Sequence, residues 1–128
     1  MNEWVFRLGF STLLAHELDA VARAEWRVLP ITSFLPDDIG YVVFVLAHIP
    51  LVAWLLWLTG NTDSRVRLRW QTVISSFLVI HVGLHLAFSG HEHYEFHSSL
   101  SRSLIFGGGL LGAAHLALLW RHRVRAKT

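Results

Sequence analysis

The sequence predicts an all-α integral membrane protein, a bundle of four transmembrane helices with both termini in the cytoplasm. Of its 128 residues, 53% are hydrophobic and only 16% are Asp, Glu, Lys or Arg, whereas about a quarter of the residues in soluble domains are charged. The apolar residues form four runs of roughly 20 residues, the length needed to cross the hydrocarbon layer. These runs and their loops use nearly the whole chain, which predicts a single transmembrane domain over residues 1–128.

The first predicted helix is the least hydrophobic of the four. Pro30 and Pro36 mark the segment after it as a loop, and Asp37 or Asp38 is expected to cap the second helix. Gly60 ends the second helix, a basic loop leads into the third, and a histidine-rich loop leads into the fourth. The four helices are predicted at about residues 4–22, 39–58, 70–88 and 100–120.

Basic residues are concentrated at one end of the predicted bundle, which sets its orientation. With four spans, both termini and the loop between the second and third helices lie on the same side, and positive charge favours the cytoplasm. Tryptophans occur at the same helix ends, as in an interfacial aromatic belt. We therefore expect a multi-pass protein of the bacterial inner membrane. The basic residues are Arg65, Arg67, Arg69, Arg121, Arg123, Arg125 and Lys127, and the tryptophans are Trp4, Trp57, Trp70 and Trp120.

Composition also limits the chemistry of the protein. The chain has no cysteine, which excludes disulfides, iron–sulfur clusters and thiolate zinc sites. Its glycine run follows no strand, so it does not indicate a nucleotide loop. The basic tail is expected to contact lipid headgroups and not nucleic acid. Membrane lipid is therefore one expected partner. A metal ion is the other, because the chain has nine histidines.

Histidines on three predicted helices share one depth. At about 1.5 Å per helical residue, His16, His48, His81 and His85 lie roughly 5–14 Å below the outer surface. The last two are four residues apart, so their imidazoles can reach one ion. Asp19 shares a helix face with His16. Polar groups at this depth are costly in lipid and must find partners inside the bundle.

These observations predict an intramembrane metal site that holds one or two ions. Zinc or iron is expected, because the available ligand atoms are nitrogen and oxygen. Glu17 and Glu92 are the candidate catalytic groups that move protons. The histidine-rich outer loop could cap the site, hold a second metal or deliver ions. The predicted metal ligands are His16, Asp19, His48, His81 and His85 in the helices, and His91, His93 and His97 in the loop.

Several of these residues have simpler interpretations. Asp19 and Arg23 are four residues apart and could form an ion pair. His115 is expected to pack in the bundle and to make one hydrogen bond. Glu25 is expected to be a loop residue. The glycines of the fourth helix permit close helix packing, and a homodimer through that face is a further expectation.

Two resemblances follow from particular motifs. Small bacterial membrane proteins of unknown function, named for an H-x-x-E-E motif, resemble the chain at His16-Glu17-Leu18-Asp19-Ala20 and through Glu25-Trp26-Arg27-Val28-Leu29-Pro30. That group implies four spans and a first helix with histidine and acids; here Asp19 and Ala20 replace the two glutamates. His81-x-x-x-His85 and His91-x-His93 are similar to histidine boxes of membrane di-iron desaturases and hydroxylases, although His-x-x-His-His boxes are absent.

Three functions are compatible with this pattern. The first is a metal-dependent membrane enzyme, a hydrolase or an oxidoreductase acting on a lipid-soluble substrate. The second is a metal-ion binding or transport protein in which the loop histidines collect ions. The third is a haem protein with axial imidazoles from two helices, such as His48 and His85.

Overall fold

The computed structural model describes residues 2–125 of the chain. Over this range the protein is all-α, with four long helices, one 3-10 turn and no strand. The four predicted helices are therefore confirmed as helices. They are α1 (Asn2–Ala22), α2 (Asp37–Thr59), α3 (Ser64–Phe88) and α4 (Ser99–Arg125), and the 3-10 turn is Glu25–Arg27.

Helices α3 and α4 pack antiparallel at close range. Ser75 of α3 forms a hydrogen bond with His115 of α4, and further along α3 the Val82 side chain packs against Gly109 of α4. A Cβ atom added at Gly112 would lie 2.6 Å from the Ser75 carbonyl oxygen. The glycines of α4 thus permit close packing within one chain, and a homodimer through this helix stays a prediction.

Helix α1 packs against both α3 and α4, parallel to the former. Its contacts with α3 progress from Glu3 and Gln71 to His16 and His85. The core between these helices is apolar, which explains why they form one unit. Its buried residues are Phe6, Phe10 and Leu13 of α1 with Ile74 and Leu78 of α3.

Helix α2 lies beside this three-helix unit. It contacts α1 through His48 and Glu17, and it contacts α3 through Trp54 and Trp70. Most of its other side chains are exposed on the isolated chain although the helix is the most hydrophobic of the four. An exposed apolar helix of this kind is stable where lipid covers it.

Three helices, α2, α3 and α4, are long and apolar enough to cross a membrane, which indicates a membrane protein. Helix α1 does not qualify, because Arg7, Glu17 and Asp19 interrupt its apolar sequence. A fourth span and cytoplasmic termini therefore remain predictions.

The helix ends differ from the predicted ones, and α4 continues to Arg125 instead of ending at about residue 120, so the first part of the predicted basic tail is helical. Helix α3 begins at Ser64, about six residues early, and the Asp63 carboxylate caps it by accepting a hydrogen bond from the Arg65 amide at 2.8 Å. The predicted basic loop is thus largely the start of α3, since arginine is a good helix former. The predicted acidic cap of α2 is wrong: Pro36 occupies that position without a side-chain bond. Lys127 of the predicted basic tail lies outside the described residues.

Candidate metal centre

Three of the predicted ligands, His16, His81 and His85, converge at one end of the bundle core, and we call them the triad. The His85 Nε2 atom lies 3.2 Å from His16 Nε2 and 3.1 Å from His81 Nε2. One nitrogen from each ring lies within 4.8 Å of the other two, which is close enough to hold one metal ion. Helix α1 supplies the first ligand, and one face of α3 supplies the other two.

The spacing of the triad fits a metal ion. Nitrogen ligands lie about 2.0–2.1 Å from zinc, so two ligands of a tetrahedral ion are about 3.3 Å apart. The separations of 3.1 and 3.2 Å from His85 to the other two nitrogens are close to that value, and all three ligand atoms lie within 4.8 Å of one another. Hydrogen bonds alone explain them poorly, because His85 Nε2 carries either one proton or one lone pair and so bonds only one neighbour.

The histidine-rich segment between α3 and α4 covers the triad with aromatic side chains. The Tyr94 hydroxyl oxygen lies 3.2 Å from His85 Nδ1, so it can accept a hydrogen bond from the Nδ1–H group. In that tautomer the Nε2 atom has no proton and is free to act as a ligand. The Phe96 ring is 2% exposed and packs against both His85 and His16. Sequence reasoning expected this loop to act through histidines and missed both aromatic residues.

The structure adds one carboxylate that the sequence interpretation treated as a loop residue. Glu25 is buried, and its Oε1 atom lies 3.8 Å from His85 Nε2. Ala24 causes this placement, because its backbone adopts a left-handed conformation with φ 51° and turns the chain back over the end of α1. Alanine rarely adopts this conformation, so the sequence gives no signal for the turn.

Burial raises the pKa of Glu25 to about 8, and the nearby Glu17 and Asp19 carboxylates add to the rise. A carboxyl group with this pKa is mostly protonated at neutral pH, and a cation beside it lowers the pKa again. Glu25 is therefore placed to hold a proton or to face a metal ion at the triad.

Two other predicted ligands, His48 and Asp19, pair with groups outside the triad. The His48 Nε2 atom lies 2.9 Å from Glu17 Oε2, and the His48 Nδ1–H group donates a hydrogen bond to the Phe44 carbonyl oxygen. The Asp19 Oδ1 atom accepts a hydrogen bond from Arg23 at 3.3 Å, as the simpler interpretation expected. These groups flank the triad, and neither is part of the three-histidine cluster.

The predicted loop ligands and the predicted acid Glu92 are exposed. The Glu92 side chain is 82% exposed and lies 3.6 Å from His93, and the His91 ring packs near His93. His97 packs against Tyr94. None of them belongs to a three-ligand cluster within the described part of the chain.

A histidine further along the core shows a different arrangement. His115 is 1% exposed, and its Nδ1 atom lies 2.7 Å from the Ser75 hydroxyl oxygen. The ring also packs on Phe6, ten residues before His16, which is about 15 Å along α1. This agrees with the expectation of a packed histidine with one hydrogen bond.

A cavity of about 640 Å³ opens beside the triad, between α1, α2 and α3. Its walls are largely apolar side chains. Its polar lining groups are Glu17, Glu25, Thr32, His48, His81, His85 and Tyr94. A mostly apolar cavity with a few convergent polar groups is typical of a small-molecule site.

Comparisons with known proteins place the chain in a family whose activity is unknown. Neither a curated protein nor a solved structure matches it. A family match is found over residues 2–122, and it does not confirm the group named for the H-x-x-E-E motif. The chain belongs to the family of unknown function DUF6713.

Proposed function

We propose that this protein is a membrane-embedded metal-dependent enzyme, a hydrolase or an oxidoreductase that acts on a lipid-soluble substrate. The observation that carries the proposal is the convergence of three Nε2 atoms beside a large apolar cavity. All four helices span the bacterial inner membrane in this proposal, and α1 crosses it with Glu17 paired to His48 of α2 and Asp19 buried beside Arg23.

In this proposal His16, His81 and His85 would hold one ion, and Glu25 lies beside them. Zinc or iron suits three imidazoles with a nearby carboxylate. The bound ion supplies activated water or activated oxygen. Tyr94 holds the His85 ring, and Phe96 excludes water from one side. Glu25 Oε1 exchanges a proton with the reacting group, a role that Glu17 shares from the cavity wall.

The transport alternative is less well supported by the core packing. Phe10, Leu13 and Leu78 form an apolar layer between the triad and the buried His115. An ion moving through the bundle would lose its ligands across this layer, at a high desolvation cost. The haem alternative also fits less well, because the triad nitrogens point at one another, whereas axial ligands flank a flat macrocycle.

The test is elemental analysis with an absorption spectrum of the purified protein. About one zinc or iron ion per chain is expected, and the His81→Ala/His85→Ala variant should lose it, with affinity lowered more than about 100-fold. His115→Ala is the matched control, since it removes a buried histidine outside the triad. Equal metal content in all three proteins, or no metal after reconstitution, would refute the proposal. Only after metal loading is established should hydrolysis and oxidation of lipid-like compounds be assayed.

A further inference from the structure

We infer that the large cavity is the binding site for one unbranched hydrocarbon chain of a fatty acyl compound, with its carboxyl end at the triad. The orientation of the carboxyl end rests on the proposed metal site. The chain-binding part of the inference rests on the cavity alone.

The cavity has the length and the lining of a chain-binding site. Below its polar groups it continues along three helices, from Glu17 to Phe10, from His48 to Leu55 and from His81 to Val73. Each of these distances is seven or eight residues, about 10–12 Å along a helix. The cavity is therefore elongated along the helix axes, a shape that suits an extended chain.

The polar groups are confined to one end of the cavity. Glu25, Thr32 and Tyr94 come from the segments that connect the helices, while Phe10, Leu55 and Val73 line the far end. A ligand that satisfies both ends has one polar group and one apolar tail. A carboxyl derivative suits the polar end, because carboxylate oxygen is a ligand for zinc and iron.

Helix α2 provides the side of the cavity nearest to lipid. Val43, Ala47 and Leu51 follow one another at intervals of four residues and line the cavity. Leu46 and Ile49 lie on other faces of the same helix and are 56% and 66% exposed, compared with 42% and 43% for Val43 and Leu51, so the cavity is open on this side. Because α2 packs lightly against the other helices, a chain can enter beside it from the bilayer.

The experiment is photo-crosslinking of the full-length protein in phosphatidylcholine vesicles. The probe is decanoate, a chain about as long as the cavity, with a diazirine close to its carboxyl end, and mass spectrometry locates the labelled residues. We expect saturable labelling at Ala47 and Leu51, with at least about tenfold less at Leu46 and Ile49, and competition by unlabelled decanoate. Ala47→Trp should reduce the specific labelling about tenfold, whereas Leu46→Trp, on the lipid side of α2, should leave it unchanged.

Metal content and the helical circular dichroism signal are measured on the same samples, so that misfolding of Ala47→Trp is detected. If that variant misfolds, Val43→Phe, which narrows the cavity less, replaces it. Labelling that does not saturate and is equal on both faces of α2 would overturn the inference even if metal is bound. Saturable cavity labelling in a protein that binds no metal would support chain binding and refute only the proposed enzyme.

Discussion

The bundle core contains buried histidines at two levels, and the two levels are organised differently. At one level His16, His81 and His85 direct three nitrogens at one another beside a cavity. At the other, about 15 Å away along α1, His115 makes one hydrogen bond to Ser75 within tight glycine packing. Burial of a histidine therefore does not by itself indicate a site. A stronger indication of a site is that several ligand atoms lie close together and hydrogen bonds cannot satisfy all of them.

The energetic roles of the two levels should differ accordingly. Changes at the triad should alter metal affinity more than the free energy of unfolding, because the three nitrogens lie close enough together to hold one ion. Changes at the Ser75–His115 level should alter the free energy of unfolding and leave metal content unchanged. Four substitutions test this contrast.

Glu25→Gln should have the largest effect at the triad. It keeps the size of the side chain but removes the carboxyl group, 3.8 Å from His85 Nε2, that would ionise beside a bound cation. We expect metal affinity to fall about 10–100-fold, as for carboxylates that support metal ligands. The measurement is metal titration of the purified protein. Glu92→Gln, on an exposed side chain, is the control. Equal affinity in Glu25→Gln and the unaltered protein would show that Glu25 takes no part in the site.

Gly112→Ala should have the largest effect at the other level. The new Cβ atom would lie 2.6 Å from the Ser75 carbonyl oxygen and 2.9 Å from Leu78 Cβ, so α4 must shift. We expect a loss of about 1–2 kcal/mol in the free energy of unfolding, since the better helix propensity of alanine offsets part of the overpacking cost. Unfolding in mixed detergent micelles measures it.

The matched control is Gly107→Ala on the same helix, where a Cβ atom meets nothing within 4 Å. This variant should be unchanged or more stable by up to about 1 kcal/mol. If both variants lose equal stability, close packing at Gly112 is not the reason. If Gly112→Ala instead lowers metal content in the folded protein, the two levels are coupled and the contrast fails.

Ser75→Ala should have a smaller effect than Gly112→Ala. It removes the hydrogen-bond partner of His115 Nδ1, and His115 Nε2 already has no partner among the described residues. We expect a loss of about 1 kcal/mol in the free energy of unfolding with unchanged metal content. Ser103→Ala, at an exposed position of α4, is the comparison. A drop in bound metal in Ser75→Ala would mean that the second level supports the site.

Ala24→Gly should have the smallest effect and the opposite sign. The left-handed conformation of Ala24 costs about 1 kcal/mol for a residue with a Cβ atom, and glycine avoids that cost. We expect the free energy of unfolding to rise by about 0.5–1 kcal/mol, with metal affinity unchanged because the backbone of Glu25 stays in place. Ala114→Gly, exposed in the interior of α4, should instead lose about 0.5–1 kcal/mol. A loss in both variants would show that the turn at Ala24 is not strained.

Helical rise was sufficient to select His16, His81 and His85, because it fixes the level of each residue along its own helix. It selected His48 equally, although that side chain pairs with Glu17. Depth gives no information about how far a helix stands from its neighbours, and α2 lies beside the main core. Whether His48, Asp19 or the loop histidines bind metal stays a prediction.

Sequence reasoning could not identify Glu25, Tyr94 and Phe96 as neighbours of the triad. These residues lie in the connecting segments, whose path depends on a left-handed turn at Ala24 and on packing against the ends of α1 and α3. No periodic pattern describes such segments, since periodicity requires regular backbone geometry.

The sequence by itself determined the class of the protein: long apolar segments with few charges must form helices that satisfy their own backbone hydrogen bonds, as a membrane requires. It also determined that histidines are placed at one depth of those helices. Only the tertiary structure decided which of them meet, which acid joins them and that a cavity opens beside them. The physical reason is that hydropathy and helical rise are local properties of the chain, whereas convergence depends on the packing of segments far apart in sequence.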